Sequence, residues 1–211
     1  MREAIKLGVI LMVIAGCAAG ALAVVNSFTE PLIQKQQEEA LQNALSEVLP
    51  GSSGVFILNN ELKNQAPAEI QDLFGDIYIA ISGTDGGITG IDGGATGLVV
   101  TVLPTGYAST IMLLVGMDAT GSLTGVRVIS QGETPQVGSK IAEPEFYAQE
   151  AFAGQTVSNN LKVTKDGGNV DAVTGATVSS RAVVRGINAA FELYRSTATG
   201  LGMTYQGGAK Q

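Results

Sequence analysis

Histidine and tryptophan are absent from this 211-residue chain, and cysteine occurs once, at Cys17. Without histidine the chain has neither the usual general base near neutral pH nor the commonest metal ligand. A single cysteine excludes an internal disulfide and a cysteine-ligated cluster within the chain. Basic runs are also missing: 12 Lys and Arg stand against 19 Asp and Glu, for a net charge of −7, which excludes the basic face that nucleic-acid binding needs. Redox chemistry here would have to come from a bound cofactor. What the chain has in plenty is glycine, at 28 residues, within a 45% apolar composition. That is the composition of a small-residue core with many turns.

One long apolar run stands near the start. Leu7 to Val25 carries no charge, and at the helical rise it spans about 28 Å, the thickness of a bilayer core. Arg2 and Lys6 precede it, while Glu30 and Lys35 follow. The positive-inside rule then leaves the N-terminus in the cytoplasm and the rest of the chain outside. Ile14-Ala15-Gly16-Cys17 also resembles a lipoprotein cleavage box, with Cys17 as the lipidated residue. Against cleavage, the run stays apolar through Val25, which favours an uncut single-pass helix. Gly16 and Gly20 form a small-xxx-small pair suited to packing on another membrane helix. The expected organisation is a cytoplasmic tip and transmembrane helix over residues 1–28, then an extracytoplasmic domain over 29–211 with a loosely held tail at 196–211.

Ser27, Thr29 and Pro31 end or kink the membrane helix. A second helix is predicted from Glu30 to Leu49, with Ile33, Leu41, Ala44, Leu45 and Val48 on one face and Pro50-Gly51 as its stop. Short β-rich runs follow: Val55–Leu58, Ile77–Ile81, Leu98–Leu103, Ile111–Met117 and Leu123–Ser130, with Asn59–Ala68 as a further candidate strand. Asp85-Gly86-Gly87 and Asp118–Gly121 are turn signals. The fold class is α+β, a mainly antiparallel sheet flanked by helices. Phe146, Tyr147 and Phe152 read as core aromatics around a short helix.

The chemistry-bearing stretch is Asp171-Ala172-Val173-Thr174-Gly175-Ala176-Thr177-Val178-Ser179-Ser180. It leads into a run in which Val183, Val184, Ile187, Ala190, Phe191 and Tyr194 recur at one-face helical spacing. Gly175 permits a sharp turn, Ser179 and Ser180 offer cap oxygens, and a helix N-terminus favours a phosphate. Upstream lies Gln131-Gly132-Glu133-Thr134-Pro135-Gln136-Val137-Gly138.

These two motifs resemble those of a flavoprotein family that includes the C subunit of the sodium-pumping NADH:quinone reductase and the G subunit of Rnf complexes. In that family a flavin transferase esterifies FMN through its phosphate to the last threonine of the Gly-Ala-Thr, here Thr177. Asp171 and Thr174 would serve recognition by the transferase, and Gly175, Ala176, Ser179 and Ser180 would shape the phosphate site. Glu133 and Thr134 would lie at the flavin in the family's Glu-Thr-Pro-Gly-Leu-Gly loop, from which this chain departs at Gln136 and Val137. Gln131 stands where relatives often carry His. The short, single-domain chain suits the Rnf G subunit better than the longer C subunit.

The resemblance implies an electron carrier in the cytoplasmic membrane, working with membrane and peripheral subunits that couple ferredoxin and NAD chemistry to Na⁺ or H⁺ movement, and not catalytic alone. An alternative of another class is a cofactor-free membrane-anchored assembly module, with Thr177 merely a helix cap. A second Gly-Ala-Thr, at Gly94-Ala95-Thr96, lacks the acidic and hydroxyl residues before it and precedes a strand-like run, so Thr96 is expected to stay unmodified.

Overall fold

Alternating and continuous apolar runs in the middle of the chain pair in sequence order. The computed structural model describes residues 38–50, 55–81 and 95–203, with scattered positions between 11 and 36. Five strands, β1 (Phe56–Leu58), β2 (Phe74–Ile81), β3 (Ala95–Val102), β4 (Met112–Asp118) and β5 (Leu123–Ser130), form one sheet in the order β1-β2-β3-β4-β5. All neighbouring pairs are antiparallel. The β4–β5 turn follows from its sequence, because Asp118 Oδ1 accepts from the N–H groups of Thr120 and Ser122 at 2.8 and 2.9 Å. Such an Asx arrangement fixes a tight reversal.

The sheet is covered on both faces. On one lies the long helix that follows the threonine motif, Thr177–Thr197, with Val183, Ile187, Phe191 and Tyr194 fully buried. They share one apolar cluster with Leu98, Val100 and Val102 of β3 and Leu113, Val115 and Met117 of β4. The alternate residues of these strands face the other way, toward the end of the first helix, α1, whose described helical residues run from 38 to 48. Leu45, Val48 and Leu49 are buried there. Two-sided burial is why β3 and β4 read as nearly unbroken apolar runs rather than strict alternation.

Glycines make the second face possible. A Cβ on Gly116 would stand 2.2 Å from the Val48 carbonyl oxygen, one on Gly125 2.8 Å from Val48 Cα, and one on Gly97 2.7 Å from a Leu49 methyl. Gly116 and Gly125 are direct cross-strand partners, so the helix end lies in a shallow trough of bare backbone. Thr124 Oγ1 closes it by donating to the Val48 carbonyl at 2.6 Å.

The candidate strand at Asn59–Ala68 is not one. It forms a 3-10 helix at Asn60–Gln65, followed by another at Ala68–Leu73. Asparagine chemistry explains the difference. Asn59 Oδ1 accepts from the Glu61 N–H at 3.2 Å, and Asn60 accepts from the Ile77 N–H at 3.1 Å while donating to Asp76 at 3.0 Å. Short polar side chains that satisfy nearby backbone in this way compete with ladder pairing. The short helix α2 is Pro144–Tyr147, and the long helix is α3. Phe146 packs edge-on against Tyr147 at 5.1 Å and, with Phe152, is buried in the core, as expected.

The chain divides into Met1–Asn43 and Ala44–Gln211. The apolar run Leu7–Val25 and Asp85-Gly86-Gly87 lie largely or wholly outside the described residues, among which no helix is long and apolar enough to cross a membrane. Of the expected tail at 196–211, only residues 196–203 are among those described. Thr197, Ala198, Leu201 and Met203 are buried, because three of these four are apolar and continue the core beyond α3.

Gly116→Ala should destabilise the domain by about 1–3 kcal/mol, the usual cost of overpacking. Gly200→Ala, where an added Cβ meets nothing within 4 Å, should stay within about 0.5 kcal/mol. Urea unfolding of the two variants side by side is the measurement, and equal midpoints would refute the close approach of the helix end.

Candidate functional site at the start of helix 3

At the motif the backbone does what its glycine permits. Gly175 sits at φ +81°, in the left-handed region that a β-branched residue adopts only with strain. The chain then turns, with the Ala176 N–H donating to the Val173 carbonyl at 2.9 Å, and enters α3 at Thr177. The N-cap residue is Ala176 and supplies no side-chain acceptor. Thr177 is therefore the first helical residue rather than the cap.

Ser179 and Ser180 are not caps either. They lie within the first turn, and neither hydroxyl accepts from an N–H of α3. Ser180 Oγ donates to the Ala176 carbonyl and accepts from the Val173 N–H, both at 3.0 Å, which ties the preceding loop to the helix. Ser179 Oγ donates to the Glu133 carboxylate.

Glu133 is the hub of the site. Its side chain accepts from the backbone N–H groups of Tyr107 at 3.2 Å and of Ala108 and Ser109 at 3.0 Å each. Only 5% of the residue is exposed. Burial by itself pushes its pKa up, but the Ser179 hydroxyl and the three backbone donors together outweigh it, so the carboxyl is held below its ordinary value. The site thus keeps a buried negative charge matched by four donors. The loop around it is braced by Gly132 N–H to Ser109 Oγ at 2.7 Å and by Gln136 N–H to Ser139 Oγ at 2.9 Å.

Together these segments enclose a cleft of about 370 Å³ lined by Tyr107, Glu133, Thr134, Val137, Gly138 and the stretch from Gly175 to Ser179. Of the residues singled out in the sequence, Glu133, Thr134, Gly175, Ala176, Thr177 and Ser179 meet here. Thr174 and Ser180 do not line it: Thr174 is exposed on the preceding loop and Ser180 is buried behind the wall. Asp171 is also exposed, and its backbone is held by Gln149 through bonds of 2.7 and 3.0 Å.

Tyr107, Val137 and Val178, which the sequence did not single out as site residues although Val137 lies in the Glu133 loop and Val178 in the threonine motif, bring exposed apolar surface to the cleft, being 74%, 39% and 44% exposed. In sequence Val137 counts only as a departure from a motif, yet its Cγ1 stands 3.4 Å from where a Gly175 Cβ would be. Gln136, the other departure, sits at φ +60°, the only non-glycine with positive φ among the described residues. Where the family pattern has glycine, this chain places a residue that strains the turn. The decoy Thr96 lies within β3, its hydroxyl donating to the Ala80 carbonyl at 3.2 Å.

Two outcomes are expected. A carboxyl whose folded pKa is depressed contributes stability above its unfolded value and loses it as pH falls through the folded value. Wild type should therefore lose stability below pH 4.5, the ordinary value for this group. Glu133→Gln should lack that component and be destabilised by about 1.5–3 kcal/mol at neutral pH, the range for hydrogen bonds to a charged group. Denaturation midpoints against pH decide this, and parallel curves for the two proteins would refute it. Gln136→Gly should raise the midpoint, the relieved strain of about 1–3 kcal/mol exceeding the entropy that glycine adds to the unfolded chain, about 0.4–1 kcal/mol.

Residues 106–192, which include every lining residue of the cleft, match the family model of the FMN-binding domain, and residues 1–48 match that of the RnfG N-terminal region. The chain is 34% identical over 204 residues to the G subunit of the ion-translocating oxidoreductase complex of Pseudomonas aeruginosa, covering 92% of this chain and 88% of that one. It is 32% identical to the Aliivibrio fischeri protein of the same name, with 90% of each covered. It is also 32% identical to the G subunit of the Na(+)-translocating ferredoxin:NAD(+) oxidoreductase complex of Acetobacterium woodii, with 90% and 91% covered. Among solved structures, Shewanella oneidensis NqrC superposes with a TM-score of 0.56 at 17% identity, covering 81% of this chain and all of that one. The C subunit of the Na(+)-translocating NADH-quinone reductase of Parabacteroides distasonis gives 0.53 at 19%, covering 79% and 96%. These two share the fold, whereas identity of 32–34% across nine-tenths of the length goes further: the chain belongs to the G-subunit family of ion-translocating oxidoreductase complexes.

Proposed function

We propose that this protein carries FMN esterified through its phosphate to Thr177 and relays electrons between other subunits of an Rnf-type complex that couples ferredoxin and NAD chemistry to ion movement. The observation that carries the reading is the position of Thr177. It opens a 21-residue helix and lines the same cleft as Glu133 and Thr134, more than forty positions earlier. The residues present fit the group. A helix N-terminus whose cap residue provides no side-chain acceptor leaves amides for an anion. The cleft volume lies within the range of small-molecule sites, about 300–1,000 Å³. Tyr107, Val137 and Val178 offer apolar surface for a flat ring system. FMN supplies the electron transfer, and the protein supplies position and electrostatics.

Each residue then has a part. Thr177 is the tether, and Gly175 and Ala176 bring backbone close to the phosphate. Ser179 holds Glu133, and Ser180 holds the loop behind Ala176. Thr134 lines the cleft beside Glu133. Thr174 and Asp171, exposed on the approach to the helix, are suited to recognition by a flavin transferase during maturation. The apolar run Leu7–Val25 anchors the chain in the cytoplasmic membrane, with residues 1–28 at and in the bilayer and 29–211 on the outer side. A covalent link suits that location, because no cytoplasmic pool could replace a lost flavin there.

Thr177→Ala should abolish flavin that survives denaturation, whereas Thr96→Ala should leave it intact. Because Thr177 makes no capping hydrogen bond, the alanine variant should keep its stability within about 0.5 kcal/mol. In-gel fluorescence of the full chain produced with a flavin transferase is the measurement. Persistent fluorescence in Thr177→Ala would move the attachment site, and a colourless wild type would remove the cofactor reading altogether.

A further inference from the structure

The segment before the motif reads in sequence as no more than a turn, Lys165-Asp166-Gly167-Gly168. In the fold it reaches α3. Thr164–Asp166 forms one 3-10 turn closed by Gly167 at φ +80°. Its base is fixed by Thr164 N–H to the Val170 carbonyl at 2.8 Å and Val170 N–H to the Lys162 carbonyl at 3.2 Å. Two successive side chains of this turn meet two residues one helical turn apart on α3. Lys165 Nζ donates to Thr177 Oγ1 at 2.9 Å, and the Asp166 carboxylate accepts from Arg181 Nε and Nη2 at 2.7 and 2.6 Å. Residues i and i+4 of a helix share a face, so the turn docks along the first two turns of α3.

The two contacts have different characters. Arg181 and Asp166 satisfy each other in a bidentate pair, and Arg181 holds the Asp166 carboxyl below its usual range. Arg181 is thereby committed to the turn. Lys165 donates to a neutral hydroxyl instead, and among the described residues no acidic side chain is paired with it. An ammonium is a three-donor point charge. Placed on the oxygen that would bear a phosphodiester, it is, among the described residues, the one side-chain cation seated at that atom.

We propose that Lys165 is the charge partner of the phosphoryl group on Thr177, and that the Asp166–Arg181 pair is the positioning device that holds it there. This rests on the reading of Thr177 as the FMN attachment residue. In esterification the Thr177 O–H is exchanged for an Oγ–P bond while the P–O–P link of a flavin dinucleotide donor breaks. The displaced nucleoside monophosphate and the hydroxyl proton leave, and no electron is transferred. Lys165 does three things in that exchange. It holds the Thr177 oxygen by donating to it, leaves that oxygen's remaining lone pair free to attack, and neutralises the anion that the ester leaves on the protein. In a chain with a net charge of −7, the anion would otherwise add to an existing excess.

The test uses the full chain with a purified flavin transferase and a flavin dinucleotide, in wild type, Lys165→Gln, Lys165→Arg, Asp166→Asn and Thr177→Ala. Loading is followed by intact mass, and the phosphodiester of loaded protein by its ³¹P resonance. Lys165→Gln should load about 3- to 10-fold more slowly at low salt, the scale of an exposed charge-assisted contact, and its ³¹P resonance should move. The deficit should shrink toward wild type in about 0.5 M salt, as screening removes the charge term. Lys165→Arg should stay within about twofold of wild type, and Asp166→Asn should fall between. Wild-type loading and an unchanged ³¹P resonance in Lys165→Gln would overturn the proposal, as would an arginine variant no better than the glutamine one. Thr177→Ala separates the two layers. If it still loads, or if wild type never loads, the attachment reading itself fails, and the Lys165 proposal fails with it for a different and visible reason.

Discussion

One buried carboxylate sets the geometry of the functional end of this molecule. Glu133 collects three backbone N–H groups from the chain entering β4 and one hydroxyl from the first turn of α3. A buried charge is tolerated only when its acceptor sites are met, so each of those segments must occupy one position. The loop after β5, the loop before β4 and the start of α3 are therefore located relative to one another by the needs of a single side chain. The cleft is what those three located pieces leave between them.

Behind the cleft the same economy of space applies to backbone. The sheet has to be covered on two faces, and its second face accepts the end of α1 only because Gly97, Gly116 and Gly125 present no side chains there. The first face needs the opposite, bulky aliphatic residues against α3. β3 and β4 answer both demands by alternating, with Leu98, Val100, Val115 and Met117 toward α3 and Gly97, Val99 and Gly116 toward α1. Anchoring of α3 on its sheet face in turn fixes the direction in which its N-terminus points.

Much of this is legible in the sequence wherever the signal is local. Leu123–Ser130 reads with its observed bounds, and Ile111–Met117 is displaced by one residue, because short β-rich runs and the Asp118–Gly121 turn signal between them act over a few positions. β2 begins at Phe74 rather than Ile77 because a register irregularity between those residues carries the strand past Gly75 and Asp76, which in sequence look like breakers. The helix after the motif is visible in its apolar stripe, but its first turn is misleading. Ser179 and Ser180 have the chemistry of caps, and only the approach of Glu133 and the Val173 loop shows that their hydroxyls are committed elsewhere. The Glu133–Ser179 link spans 46 positions, and the Lys165–Thr177 contact depends on a turn folding back onto a helix. Neither has a periodic signature, so both are consequences of tertiary structure alone.

The link between Glu133 and Ser179 also bears on timing. A hydroxyl acceptor presented at a helix start that is itself anchored by a carboxylate from the loop after β5 exists only once the sheet has closed. A chain with its strands unpaired offers the same tripeptide on a slack loop, with no oriented amides and no neighbouring ammonium. If flavin is joined at Thr177 as proposed, only chains that had finished folding would present the oriented site to be marked.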